Sequence, residues 1–396
     1  MKRFALGEIC EIQLGKMLSP KAKLGASPLP YLRNANVQWN RVDLTTISRM
    51  DFDEREQRKY LLKKGDVLVC EGGEPGRAAV WKDELAPCFF QKALHRLRPL
   101  TDSVLPEYIV YALRKAALRG EFTNSITQAT IAHLPVVALE KLELPLPPLS
   151  EQREIVARLD AQLAAAARAR VAVAAQLAEA ERFAKILADA EYPVGRWPMV
   201  AVRDLAIVAG GIQKTPDRAP NEFHRPFLTV RNVQRGALNL SVVERFEVSP
   251  AELERNRLEA GDLLIVEGNG SREHIGRNAL FPEGLPEEWI HQNHIIRVRF
   301  GRTKVEPRFA SHFFNSTAGR EQMLERAATT TGLYTLSTAK VAALELPVPP
   351  IQEQQLIADR IEEAQVHVAA LRTHLMAQLA ELDRLPAVLL RTAFAG

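Results

Sequence analysis

The chain has 396 residues, 46% hydrophobic and 25% charged, the composition of a soluble folded protein too long for one ordinary core, so two globular domains are expected. No apolar run is long enough to span a bilayer, and a net charge of +4 permits nucleic-acid binding without arguing for it. The N-terminal segment has basic residues without an apolar stretch behind them, and Cys10, Cys70 and Cys88 share no close spacing, so a reducing, cytoplasmic setting without a membrane is the expectation.

Residues 1–149 read as a mixed α/β domain of short strands. Lys64-Gly-Asp-Val-Leu-Val-Cys70 is a turn entering a buried strand, Leu94–Leu97 is a second strand, and Pro106–Leu118 carries an amphipathic helical pattern. The domain closes on Leu142-Glu-Leu-Pro-Leu-Pro-Pro-Leu-Ser-Glu-Gln-Arg-Glu-Ile155. Proline ends the extended run there, and a helix is expected to open at Glu151.

From Gln152 a 4-3 spacing of Val156, Leu159, Leu163, Ala166, Arg170, Val173, Leu177, Ala180, Ala184 and Leu187 predicts a long coiled-coil helix over 150–192. Its alanine run reads as helix, since alanine is the strongest helix former.

Residues 193–350 then repeat the first domain. Pro226-Phe-Leu and Asn232-Val-Gln match Pro30-Tyr-Leu and Asn36-Val-Gln, Gly261-Asp262 matches Gly65-Asp66, and Gly276-Arg277 matches Gly76-Arg77. Leu344-Glu-Leu-Pro-Val-Pro-Pro-Ile-Gln-Glu-Gln-Gln-Leu-Ile357 repeats the junction, with ten identities over eighteen positions, and opens a second helix, 351–396, at Glu353. Gln352 stands where the first copy has Ser150, a weaker cap, and Pro386 is expected to stop or kink this helix. Its seam continues through Gln354, Ala358, Ile361, Gln365, Val368, Arg372, Leu375, Leu379, Leu382 and Leu389.

The fold expected is therefore α+β: two duplicated mixed α/β domains joined by two long helices in an antiparallel coiled coil with a pseudo-twofold axis. Antiparallel pairing follows because a parallel pair would require the second domain to bridge roughly 50 Å, against a radius of gyration near ~15 Å. The register that opposes small with large residues pairs Leu159 with Leu382, Leu163 with Leu379, Ala166 with Leu375, Val173 with Val368 and Ala180 with Ile361. It sets Arg170 and Arg372 in one layer, with their guanidinium groups snorkelling outward.

No catalytic motif is complete. Gly15-Lys16 lacks the rest of a P-loop, and neither Pro-Pro pair is followed by the aromatic residue of an amino-methyltransferase tetrapeptide. His291-x-x-His294 reads as strand packing or a polar contact rather than a metal site, and His367 and His374 as a solvated or partner-facing stripe. The glycine loops Glu71–Arg77 and Glu267–Arg277 are either tight turns or loops that bring backbone close to a ligand, and both readings stay open. Candidate nucleic-acid contacts are Arg33, Asn34, Gln38, Arg41, Arg77 and Lys92 in the first domain. In the second they are Arg231, Gln234, Arg235, Asn269, Ser271, Arg272 and Arg277, since Arg, Lys, Asn and Gln suit phosphates and base edges. Asn36 and Asn232, the repeated members of their clusters, are assigned to the scaffold.

The two Leu-Pro-x-Pro-Pro-x-x-Glu-Gln junctions, the Lys-Gly-Asp-Val-Leu and Ala-Gly-Asp-Leu-Leu strand entries and the C-terminal Leu-Leu-Arg-Thr-Ala-Phe-Ala-Gly resemble the specificity subunits of type I restriction-modification enzymes over the full chain. The resemblance implies two target recognition domains, each reading half of a split, asymmetric sequence in double-stranded DNA. It implies helices that act as spacer and platform, two modification subunits that use S-adenosylmethionine, and two restriction subunits that use ATP and Mg. No cofactor or catalysis would belong to this chain. A stand-alone methyltransferase or nuclease, and a coiled-coil assembly protein without a DNA role, are the alternatives.

Overall fold

In the strand Val67–Cys70 every residue is buried, and alternate side chains serve opposite faces. Val67 and Val69 join the helix Pro106–Leu118 in one core, whereas Leu68 and Cys70 join Leu32, Trp81 and Phe90 in another. A strand apolar on both sides must lie inside, and this one is third in an antiparallel sheet ordered Cys10–Leu14, Leu94–Pro99, Val67–Cys70, Ala78–Val80. A second sheet sets Leu29–Leu32 between Ser48–Met50 and Phe89–Phe90, the latter pair parallel. These are features of a computed structural model, which describes residues 2–18, 27–122, 133–269, 272, 274–301, 304–328 and 334–394.

The second domain follows the same plan. Leu263–Val266 sends Leu263 and Ile265 to one core and Leu264 and Val266 to the other, within a sheet ordered Ala206–Gly210, Ile295–Phe300, Leu263–Val266, Asn278–Leu280. The repeated Gly-Asp pair is a shared device. Gly65 and Gly261 take positive φ to turn the chain, and Asp66 and Asp262, both buried, each receive two hydrogen bonds from one arginine, Arg98 or Arg299, at 2.7 Å.

The chain divides into two compact units, Met1–Ala174 with Ala377–Gly396, and Ala175–Met376, so each long helix is shared between them. The helices run Leu149–Ala190 and Ile351–Ala393. They open directly after Pro148 and Pro350, within one residue of the expected bounds 150 and 351 and two residues before Glu151 and Glu353. Gln152 and Gln354, fully buried in the first turns, bond to the domain loops rather than lining the helix seam. Ser150 and Gln352 lie exposed within the first turn, so their difference removes no cap. Pro386 lies inside the second helix and does not end it.

Most apolar seam positions are covered as expected, but the register differs. Leu159, Ala166, Ala180, Ile361 and Leu375 are buried and Leu163, Val173, Leu177, Val368, Leu379 and Leu382 half-buried, whereas Arg170 and Arg372 are exposed. In the first unit Arg170 pairs with Asp383 at 2.6 Å, eleven residues beyond Arg372, and Leu159 packs in one cluster with Leu390 and Phe394. In the second unit Arg372 approaches Glu181 at 3.7 Å and Arg360 meets Glu191. Within each unit the helices are antiparallel, slid by roughly three turns from the expected pairing. In the first unit Arg170 thus stands opposite Asp383, and in the second Arg372 stands near Glu181, rather than in the layer expected for them.

Candidate nucleic-acid interface

In each unit the loops gather at one end of the sheets. Strands Cys10–Leu14, Leu29–Leu32, Val67–Cys70 and Phe89–Phe90 all run toward it, and Ala78–Val80 and Leu94–Pro99 run away from it. The segments leaving or entering there are 15–18, 33–41, 71–77, 91–93 and the stretch at His133, which bridges Gly72. Register places 211–213, 229–236, 267–269, 274–277 and 292–294 together in the second unit.

Beneath each cluster lies the same asparagine strut. Asn36 Oδ1 accepts from the Arg33 amide at 2.9 Å, and its Nδ2 donates to the carbonyls of Asp43 and Thr46. Asn232 Oδ1 accepts from the Thr229 amide at 2.8 Å, and its Nδ2 donates to Asn239 and Val242. Both are buried, as the scaffold assignment requires. Gly76 and Gly276 turn the chain with positive φ, and an added Cβ would run into Phe122 or Met323.

The candidates separate into engaged and exposed groups. Arg77 Nη2 donates to the Asn34 carbonyl and Nη1 to Glu74, both at 3.0 Å, and Arg277 Nη2 donates to the Val230 carbonyl at the same distance. These two arginines hold loops in place. Gln38 and Gln234 bond back to the carbonyls of Ala35 and Arg231, and Asn34 approaches the Gly72 carbonyl at 3.5 Å. Arg235 is half-buried against Asn315; burial, with the neighbouring charges of Arg320 and Arg277, pulls its guanidinium down to about 10. Arg41, Lys92, Arg231 and Arg272 are exposed and Arg33 half-buried. Asn269 lies in the short strand Gly268–Asn269, paired with Tyr334–Thr335, and Ser271 falls outside the described residues.

Gln91, Gln292 and Asn293, not among the candidates above, lie half-buried in the 91–93 and 292–294 turns. The repeat is visible in the sequence: Phe90-Gln91 and His291-Gln292 occupy the same place before the strands that begin at Leu94 and Ile295.

The two histidines of His291-x-x-His294 serve different ends. His291 is buried, with Nδ1 at 3.1 Å from the Ile295 carbonyl, and exposed His294 meets Glu267 at 2.8 Å. Among the described residues no cluster of three or more His, Cys, Asp or Glu could hold a metal ion, and no helix is long and apolar enough to cross a membrane.

A frame built twice, with the same buried struts beneath two sets of differing loop side chains, is the construction of a duplicated recognition module. The profile of the type I restriction modification DNA specificity domain matches residues 1–168 and again 196–379, and the chain belongs to that family. It is similar to the type I restriction enzyme EcoKI specificity subunit of Escherichia coli K12, with 23% identity over 382 residues, 93% of this chain and 82% of that protein. Similarity to the StySPI specificity subunit of Salmonella potsdam is 21% over 383 residues, with the same two coverages.

Two solved structures share the fold. The HsdS subunit of Thermoanaerobacter tengcongensis aligns with a TM-score of 0.66 at 18% identity, covering 100% of this chain and 96% of that one. A chain from a structural study of assembly and conformational transition in a type I restriction-modification system aligns with a TM-score of 0.74 at 16% identity, covering 99% and 97%.

Proposed function

We propose that this chain is the DNA sequence-specificity subunit of a type I restriction-modification complex, each globular domain reading one half of a bipartite, asymmetric target in double-stranded DNA. The observation that carries the reading is the double match to the specificity-domain family on a duplicated frame whose loop side chains differ between copies. A shared frame with different loops is what two readers of different half-sites require. Arg33, Arg41 and Lys92 in the first domain and Arg231 and Arg272 in the second are the contacts assigned to DNA, and Arg77 and Arg277 act by positioning.

The chain itself is non-catalytic and works in the cytoplasm. Two modification subunits supply methyl transfer from S-adenosylmethionine, and two restriction subunits supply ATP- and Mg-dependent cleavage. The long helices set the distance between half-sites and carry the modification subunits.

Replacing residues 1–149 by the equivalent domain of a relative, followed by mapping of methylated adenines, tests the reading. One half-site should change and the other persist; a change in both halves overturns it. Seven residues inserted after Ala174 and at the facing point near Ala377 should widen the gap between half-sites, and an unchanged gap removes the spacer role.

A further inference from the structure

The turns 91–93 and 292–294 are mounted in the same way. The Gln91 amide donates to Leu32 at 3.1 Å, the Lys92 amide to Lys16 at 2.8 Å, and the Ala93 carbonyl accepts from Glu71 at 3.0 Å. In the second unit Gln292 donates to Leu228, Asn293 to Ile212, and His294 accepts from Glu267, each at 2.9 Å. Each turn also closes on itself, Leu94 donating to Gln91 and Ile295 to Gln292 at 2.9 Å.

Gly15 and Gly211 press against these turns: an added Cβ would overlap the Gln91 carbonyl in one unit and the His291 and Gln292 carbonyls in the other. Three neighbouring segments and a glycine contact therefore fix each turn.

The side chains carried by this fixed backbone are unengaged. Lys92 is exposed and Gln91, Gln292 and Asn293 half-buried, and none makes a side-chain hydrogen bond to a described residue. The neighbouring Asn36, Gln38, Asn232 and Gln234 are by contrast bonded to backbone. The rigid mount spares the cost of ordering the backbone on contact, and the unengaged side chains keep their donors and acceptors available for a base edge.

We propose that these turns are the base-reading elements of the two domains, with glutamine common to both and Lys92 and Asn293 setting the difference between them. Lysine donates to guanine O6 and N7, and asparagine bonds bidentately to adenine N6 and N7. The inference rests on the reading of each domain as a half-site reader and assigns that reading to particular side chains.

The test uses the assembled methyltransferase complex and a panel of DNA duplexes varied one position at a time. Lys92→Asn should shift the preferred base at one position of one half-site toward adenine, roughly tenfold or more in relative rate. Asn293→Lys should shift one position of the other half-site toward guanine, and Lys92→Arg should keep the original preference. Unaltered preferences at every position in both exchange variants overturn the proposal. Should a variant complex not methylate, competition binding on the same panel reads its preference, and an unchanged ranking again overturns it. A wild-type complex with no sequence preference would instead remove the half-site reading itself.

Discussion

Gln152 accepts the Leu105 amide on Oε1 at 2.9 Å while its Nε2 donates to the carbonyls of Ser103 and Pro147 at the same distance. Gln354 repeats this with the Glu306 amide and the carbonyls of Lys304 and Pro349. The glutamine of each Pro-Pro-x-x-Glu-Gln motif is thus a clasp between the first helical turn and the loop before a domain helix, Pro106–Leu118 or Pro307–Asn315. An amide carries two N–H donors beside an acceptor oxygen, and this place uses all three.

Gln152→Met keeps the volume and removes every bond, leaving one donor and two acceptors without their partner. A loss of about 3 kcal/mol is expected. Urea unfolding checks it, and a loss below about 1 kcal/mol would show that the clasp is dispensable.

Stability should also depend on His291. Burial first, and the charge of Arg297 second, push its imidazole down to about 4, against the opposing influence of hydrogen bonds with Gln292 and Ile295 and the charge of Asp262. The folded histidine stays neutral where the unfolded one takes up a proton below its ordinary 6.5. Its contribution is therefore constant above about 6.5 and falls as the pH drops toward 4, by roughly 3 kcal/mol in all. His95, buried beside the Leu134 carbonyl, is lowered for the same reason and acts with the same sign. The first repeat has Phe90 where the second has His291. Thermal unfolding of His291→Phe between pH 7 and 4.5 should accordingly show a shallower acid-side decline than the wild type, and parallel curves would refute the assignment.

Much of this architecture is legible in the residues. The two-sided apolar runs at Val67–Cys70 and Leu263–Val266, the helix at Pro106–Leu118 and the Leu/Ala seam all carry their periodicity openly. The helix register is not legible, because an alanine-rich seam discriminates poorly between slides of a few turns. What sets it lies at the ends, where Leu390 and Phe394 pack with Leu159 and Tyr108, and Arg360 reaches Glu191. The site divides likewise: a Gly-Arg pair in a loop does not disclose whether its arginine faces a ligand or a carbonyl of the next loop.

The observed register makes the seam arginines weak contributors to stability. Arg170 and Asp383 are each more than half exposed, as are Arg372 and Glu181. Pairs of this kind contribute about 0–1 kcal/mol because water screens them. Arg170→Leu with Arg372→Leu should leave the melting temperature within a few degrees of wild type. A large drop on thermal unfolding would mean that these side chains are satisfied inside the seam.

Arg77 and Arg272 separate positioning from contact. The Arg77 guanidinium is held between the Asn34 carbonyl and Glu74, whereas Arg272 is exposed within its loop. An arginine that neutralises a DNA phosphate releases a counterion, so its loss reduces the slope of log K against log salt by about 0.9. Arg272→Gln in the assembled complex should show that reduction. Arg77→Gln should weaken binding through a loosened loop while the slope stays as it is. The fold must be intact for the comparison, and equal melting temperatures of wild-type and variant complexes without DNA establish that. A reduced slope for Arg77→Gln would place its guanidinium on the DNA and would require its bonds to the Asn34 carbonyl and Glu74 to open when the complex forms.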